Sequence, residues 1–294
     1  MRRAYQTDLS DAEWSYIEPY LPTPQAPGRP RVHTLREIID AIFYIVRSGC
    51  AWRLLPHDFP PWKTVHHYFR RWRIDGTFER MHAALRQRVR VRLKRNPQPS
   101  AAIADSQSIK TTGVGGKERG YDGAKKVKGR KRHILVDTQG LVIEARVHGA
   151  QIQDREGIKL LLDVNARDRL PERLSHLWLD AGYTGQDKGV GWVRKVLGWT
   201  AEIVRHPKKL APEQVMSAWV REFNKEGVPI DLEKLLPEKG PRHFLPKRWI
   251  VERTLAWLGQ NRRLSKDYER LPESAEAFIY VAMSRLMARR MARS

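Results

Sequence analysis

One cysteine, Cys50, stands in 294 residues, so the chain can build no internal disulfide and no cysteine-based zinc cluster. It has no run of about eighteen apolar residues, which excludes a simple membrane-spanning helix. Met1-Arg-Arg-Ala opens like a secretory signal, but no apolar segment follows it. The reading is a cytoplasmic, nucleoid-associated protein without a membrane. The glycines lack Walker spacing and no Gly-Lys is followed by Ser or Thr, which excludes a nucleotide loop of that type. Carboxylates are also scarce: 33 acidic residues stand against 55 Lys and Arg, a formal charge of +22.

The excess of positive charge is clustered. Residues 51–100 hold twelve Lys/Arg against three acids, and residues 109–132 hold nine against two. A merely soluble surface mixes its signs more evenly. Such clustering points to a polyanion, and to nucleic acid first, because binding phosphates releases condensed counterions.

Two parts follow from the chain in order. Ser10-Asp-Ala-Glu13 and Thr34-Leu-Arg-Glu37 are capping boxes that open two helices. The second carries an apolar stripe from Ile38 to Val46, closed by Gly49. Further helices are predicted over about 62–75 and 78–95. In a helix-turn-helix the second helix of a pair enters the major groove, which makes Lys63, Thr64, His67, Arg70 and Arg71 candidate DNA contacts. Trp52, Trp62, Phe69 and Trp72 are assigned to the core. Pro97–Ser100 marks a boundary between a helical DNA-end-binding domain, 1–97, and a second domain, 98–294. That domain reads as strand, hairpin, helix, strand, helix, strand, helix, an α/β pattern with a mixed sheet, interrupted by an insertion at about 207–246. Between its first strand and the hairpin, residues 110–132 contain six glycines and nine basic residues. They read as a mobile loop that would present Lys126, Lys128, Arg130, Lys131 and Arg132 to phosphates.

Against this background three carboxylates are conspicuous. Asp105 ends the short apolar run Ala102-Ile-Ala104, Asp180 ends His176-Leu-Trp-Leu179, and Glu252 lies in the helical stretch Arg248-Trp-Ile-Val-Glu-Arg253. A carboxylate at the inner end of a strand is costly unless it is paired or holds a metal. Phosphodiester chemistry commonly uses two divalent cations about 4 Å apart, and hard cations take carboxylate oxygens. Asp137, before the turn of the hairpin, and Asp154, at the start of a helix, have local explanations as turn and cap residues. They are left out of the set.

Four groups of residues, and a fifth that matches most strongly, resemble the DDE transposases of bacterial insertion sequences, specifically the family numbered five. They are Gly49-Cys-Ala-Trp-Arg-Leu-Leu-Pro56 with Phe59-Pro-Pro-Trp62; Ala104-Asp-Ser-Gln-Ser108; Gly129-Arg-Lys-Arg-His133 with Val136-Asp-Thr138; and Leu179-Asp-Ala-Gly-Tyr183. The strongest match is Arg248-Trp-Ile-Val-Glu-Arg-Thr254, continuing through Trp257 to Arg262-Arg-Leu-Ser-Lys-Asp-Tyr-Glu269. The resemblance implies an RNase H-like core, dependence on two Mg2+ ions with Mn2+ as a substitute, and cutting and joining of double-stranded DNA at terminal inverted repeats. It also implies a homodimer or higher assembly on DNA. It assigns catalysis and metal binding to Asp105, Asp180 and Glu252. The wider signature around the glutamate is incomplete, with Leu245 in place of Tyr and Gly259 in place of Lys. At 100° per residue Arg248, Glu252, Gly259, Arg263 and Lys266 would share one helix face. Arg248, Arg263 and Lys266 are therefore further candidate DNA contacts. Two rival readings are a metal-dependent nuclease with the same core and no strand transfer, and a transposase-derived DNA-binding regulator with a degenerate site, against which the intact Asp105, Asp180 and Glu252 argue.

Overall fold

The computed structural model describes residues 4–22, 31–113, 116, 118–163, 169–204 and 248–293. The insertion at 207–246 and the side chain of Arg248 lie outside the described residues.

Four helices come first: α1 (Asp11–Ile17), α2 (Leu35–Ser48), α3 (Trp62–Ile74) and α4 (Thr77–Arg92). Both capping boxes form. The Glu13 amide donates to Ser10 Oγ and the Ser10 amide to Glu13 Oε2, at 3.2 and 2.9 Å. Thr34 and Glu37 repeat the arrangement. Gly49 ends α2 at φ 74°, the left-handed conformation in which glycine meets no Cβ penalty. Phe69 and Trp72 are buried in the core, with Trp52 and Trp62 packed partly exposed against it.

The sheet consists of β1 (Ala101–Lys110), β2 (Gly120–Asp122), β3 (Val127–Asp137), β4 (Val142–Gly149), β5 (His176–Leu179) and β6 (Thr200–Ile203). β1 lies between β3, to which it is antiparallel, and β5, to which it is parallel; β6 extends the parallel side. On its other edge β3 carries β2 at its start and β4 along the rest. This is the mixed sheet of an RNase H-like α/β fold, preceded by a helical region, as the sequence predicts. Helices α5 (Asp154–Leu161), α6 (Val190–Trp192), α7 (Arg248–Gly259) and α8 (Pro272–Ala292) complete the described α-helices.

Successive strand residues point to opposite faces, and the two faces bury separate cores. Ile103, Ile134 and Val136 join α1–α4, α7 and α8 in one cluster. Ala102, Ala104, Leu135, Leu177 and Leu179 join α5 and the turn at 193–197 in the other. α8 is buried on most of its surface, from Ala275 to Met291, because it runs between the N-terminal helices and the sheet. The helices of residues 1–97 therefore share their core with the last helix of the chain.

Residues 127–132 correct an expectation. They belong to β3 rather than to a loop, and alternation sends them to opposite faces. Arg130 and Arg132 are buried, at 0% and 1% exposure. Arg130 pairs with Asp267 at 3.2 Å and donates to the carbonyls of Glu269 and Arg270 at 2.9 Å each. Arg132 donates to the Leu264 carbonyl at 2.6 Å. They pin the segment after α7 to the sheet and are unavailable to DNA. Lys131, on the other face, is also buried and ion-paired. The single helix face expected from Arg248 to Lys266 is interrupted as well. α7 stops at Gly259, and Arg263 turns inward to Glu269 at 2.6 Å and the Cys50 carbonyl at 3.1 Å.

Candidate active site

The face that Asp105 occupies follows from the alternation along β1. Ile103 faces the core containing α7 and α8, so Asp105 faces that way too, whereas Ser106 shares the α5 side with Ala102 and Ala104. On β5, Leu177 and Leu179 face α5, which leaves Trp178 and Asp180 on the face of Asp105. The register pairs Ile103 with Trp178; continued two residues, it sets Asp105 beside Asp180, where strands lie about 4.8 Å apart. Asp180 directly follows β5, but Asp105 lies in the middle of β1, which runs on to Lys110 rather than ending at the carboxylate as the sequence suggests.

Both aspartates line one small cavity, about 10 Å3, with Val251 of α7 on its wall. That volume is about what one water-sized sphere requires. Glu252, the next residue, is exposed on α7. Main-chain donors orient the pair: the Ser106 amide donates to Asp105 Oδ1 at 2.7 Å and the Gly182 amide to Asp180 Oδ1 at 2.8 Å. Asp180 thereby caps the short turn Ala181–Tyr183. Among the described residues no three His, Cys, Asp or Glu side chains gather closely enough to hold an ion in this arrangement. The two aspartates and Glu252 nevertheless offer only oxygen donors, the set that suits a hard divalent cation.

Behind the strand ends lies a network that the sequence reading missed. Asp154 is the first residue of α5, but its side chain does not cap the helix. It accepts from Ser106 Oγ at 2.7 Å and from Lys131 Nζ at 2.8 Å, and Lys131 reaches on to Asp122 at 3.3 Å. Burial opposes the ionisation of Asp154, but the bonds from Lys131 and Ser106 outweigh it and hold the carboxyl below its usual range. Burial opposes Asp122 too, yet Ser108, the Lys125 amide and Lys131 bring it down to about 2. An added Cβ on Gly182 would sit 3.0 Å from Asp180 Oδ1 and 3.4 Å from Asp154 Oδ2, so these carboxylates converge on one point. Ser106 links the two sides, its amide on Asp105 and its hydroxyl on Asp154. Tyr183, fully buried here, has its hydroxyl pushed well up, by burial first and then by Asp105, Asp154 and Asp180. Beside Lys131, His133 stacks on His148 with ring nitrogens 2.8 Å apart; burial, then His148, lowers its pKa to about 3, so the pair is neutral near pH 7. The available signal was alternation. Once 127–137 is one strand, Lys131 and His133 face α5 while Arg130 and Arg132 do not.

Asp137 does close the hairpin, accepting from the amides of Gln139 and Leu141 at 2.9 Å, and it also anchors Arg90 of α4 at 2.5 Å. Of the sequence-predicted DNA contacts, Lys63, His67, Arg70 and Arg71 form an exposed stripe on α3, with Thr64 half-buried beside it. Lys126, Lys128 and Lys266 are exposed. Gly259 has open space around it, with nothing within 4 Å of an added Cβ.

Residues 9–82 match the family model described as "Putative transposase of IS4/5 family", and residues 96–287 match the one described as "Transposase DDE domain". No curated protein sequence matches the chain significantly. DDE transposase domains cut DNA and use divalent metal ions. No described helix is long and apolar enough to cross a membrane.

Proposed function

The chain belongs to the DDE transposases, and from that premise we propose that it binds the terminal inverted repeats of an insertion sequence of family five and catalyses Mg2+-dependent strand cleavage and strand transfer. The observation that carries this reading is the placing of Asp105 and Asp180 side by side on one cavity, beneath the helix that bears Glu252. Mg2+ held by these oxygens would polarise the scissile phosphate and lower the pKa of the attacking water or 3′-hydroxyl. The protein's part is to hold the donors. The amides of Ser106 and Gly182 orient one oxygen of each aspartate, and Glu252 closes the site from α7. The exposed side chains Lys63, His67, Arg70 and Arg71 of α3 receive the duplex end in a nucleoid-associated complex of at least two copies, and Lys126, Lys128 and Lys266 line its path to the site. Arg130, Lys131, Arg132 and Arg263 are withdrawn from that set.

The test is strand cleavage and joining on a labelled duplex carrying an element end, with binding followed separately by gel shift. Asp105→Asn, Asp180→Asn and Glu252→Gln each remove a ligand charge that also repels phosphate. Each is expected to lose cleavage by at least about 10³-fold, the scale of an essential group, while binding DNA as well as or better than the wild type. Mg2+ or Mn2+ should support turnover, and Ca2+ only binding. Full cleavage by any of the three variants overturns the assignment. Cleavage without a joined product would leave a nuclease.

A further inference from the structure

The last turns of α8 bring Arg285, Arg289, Arg290 and Arg293 to one cavity of about 300 Å3, shared with Arg47 of α2 and Trp257 of α7. Five arginines and no acid line it; the acids that act on them, Glu13 and Asp40 on Arg285 and Asp137 on Arg290, stand outside the lining. Arg289 Nε pairs with Glu13 at 3.4 Å. Arg47 and Arg285 donate to the main-chain carbonyls of Gln260 and Gln6, which carry no net charge. Burial, and then Arg289, pushes Arg285 down to about 10. A helix C-terminus carries only roughly half a negative charge, so capping α8 does not account for so many cations. Packing also fixes the guanidinium planes: Arg290 lies 4.3 Å over the Trp257 ring and Arg285 5.9 Å over Phe43. Guanidinium groups held in this way suit the forked, bidentate recognition of phosphate oxygens.

The cavity is separate from the metal site. Trp257 and Leu258 of its wall lie more than about 100° round α7 from Glu252, at 100° per residue. A strand seated on Asp105 and Asp180 does not occupy it. We propose that this arginine pocket is a second phosphate-binding site that grips the backbone of duplex DNA on the side of α7 away from the three carboxylates. This rests on the reading of the chain as a DNA transposase.

The experiment uses the full chain and a fluorescein-labelled mixed-sequence duplex of about 30 base pairs, a length of roughly three helical turns, titrated at several KCl concentrations. Each phosphate contact adds about 0.9 to the slope of log affinity against log salt. Arg47→Gln with Arg289→Gln and Arg293→Gln should flatten the slope by about 2–3, with circular dichroism and melting temperature unchanged. The same three positions changed to Lys should keep the wild-type slope, since charge is retained. If the triple Gln variant fails to fold, Arg47→Gln with Arg293→Gln leaves the Arg289–Glu13 pair in place and should flatten the slope by about 2. A folded Gln variant with the wild-type slope overturns the pocket. So does a variant that loses thermal stabilisation by inorganic pyrophosphate yet keeps its DNA slope, because the pocket would then serve a free phosphate. A flat slope in the wild type would instead remove the DNA-binding reading itself.

Discussion

Replacing Lys131 by Met tests whether the network behind the strand ends is a charge-balanced unit. Lys131 Nζ lies 2.8 Å from Asp154, 3.3 Å from Asp122 and 2.9 Å from the Ile152 carbonyl, and its side chain is 5% exposed. Met fills the stem's volume without the charge. Removing one partner of a buried pair costs about 3–5 kcal/mol, because the remaining charge is left uncompensated. The lower end is expected, since Asp154 keeps the Ser106 hydroxyl and Asp122 keeps Ser108. Asp154→Asn alone should cost about 1–2 kcal/mol, because Lys131 retains Asp122. The double variant no longer buries an unpaired charge at residue 154, so it should be about 1–3 kcal/mol more stable than the sum of the two single losses. Urea unfolding of the four proteins at pH 7.5, with m-values compared, closes the cycle. Additivity within about 0.5 kcal/mol would refute the coupling.

Glu276 is buried and pushed up to about 7, by burial first and against the Val147 amide and Arg146. Its folded pKa exceeds the unfolded value near 4.5, so the folded state holds the extra proton and stability falls as pH rises from about 4.5 to 7. Glu276→Gln should therefore be more stable than the wild type by on the order of 2–3 kcal/mol at pH 8 and about equal at pH 4, read from melting curves; an equal difference at both values would refute this. Arg130→Met should lose about 3–5 kcal/mol in urea unfolding, whereas Lys128→Ala should stay within about 0.5 kcal/mol and flatten the DNA salt slope by about 0.9. The reverse pattern would return Arg130 to the DNA surface. A fragment of residues 1–97 lacks the apolar side chains that α8 supplies to its core, so it should show no cooperative thermal transition; a sharp one would mean that the helical region completes a core by itself.

Local chemistry made much of this legible in the sequence. Ser10, Thr34 and Gly49 set helix ends by bonds within four residues of themselves, so the caps appear where spacing places them. Asp105 and Asp180 stand out because a carboxylate after a short apolar run is expensive without a ligand or partner. The tertiary structure alone decided what depends on distant partners. Arg130 finds Asp267 across 137 residues of chain, and a basic run beside glycines reads as a solvent loop because arginine is seldom buried unless paired. Asp154 opens a helix, and locally a cap explains it. Only the packing of α5 against β1 and β3 brings Ser106 and Lys131 to its carboxylate and turns it toward Asp180. Capping is a contact within a few residues, whereas this network joins three elements that meet only when the sheet has formed.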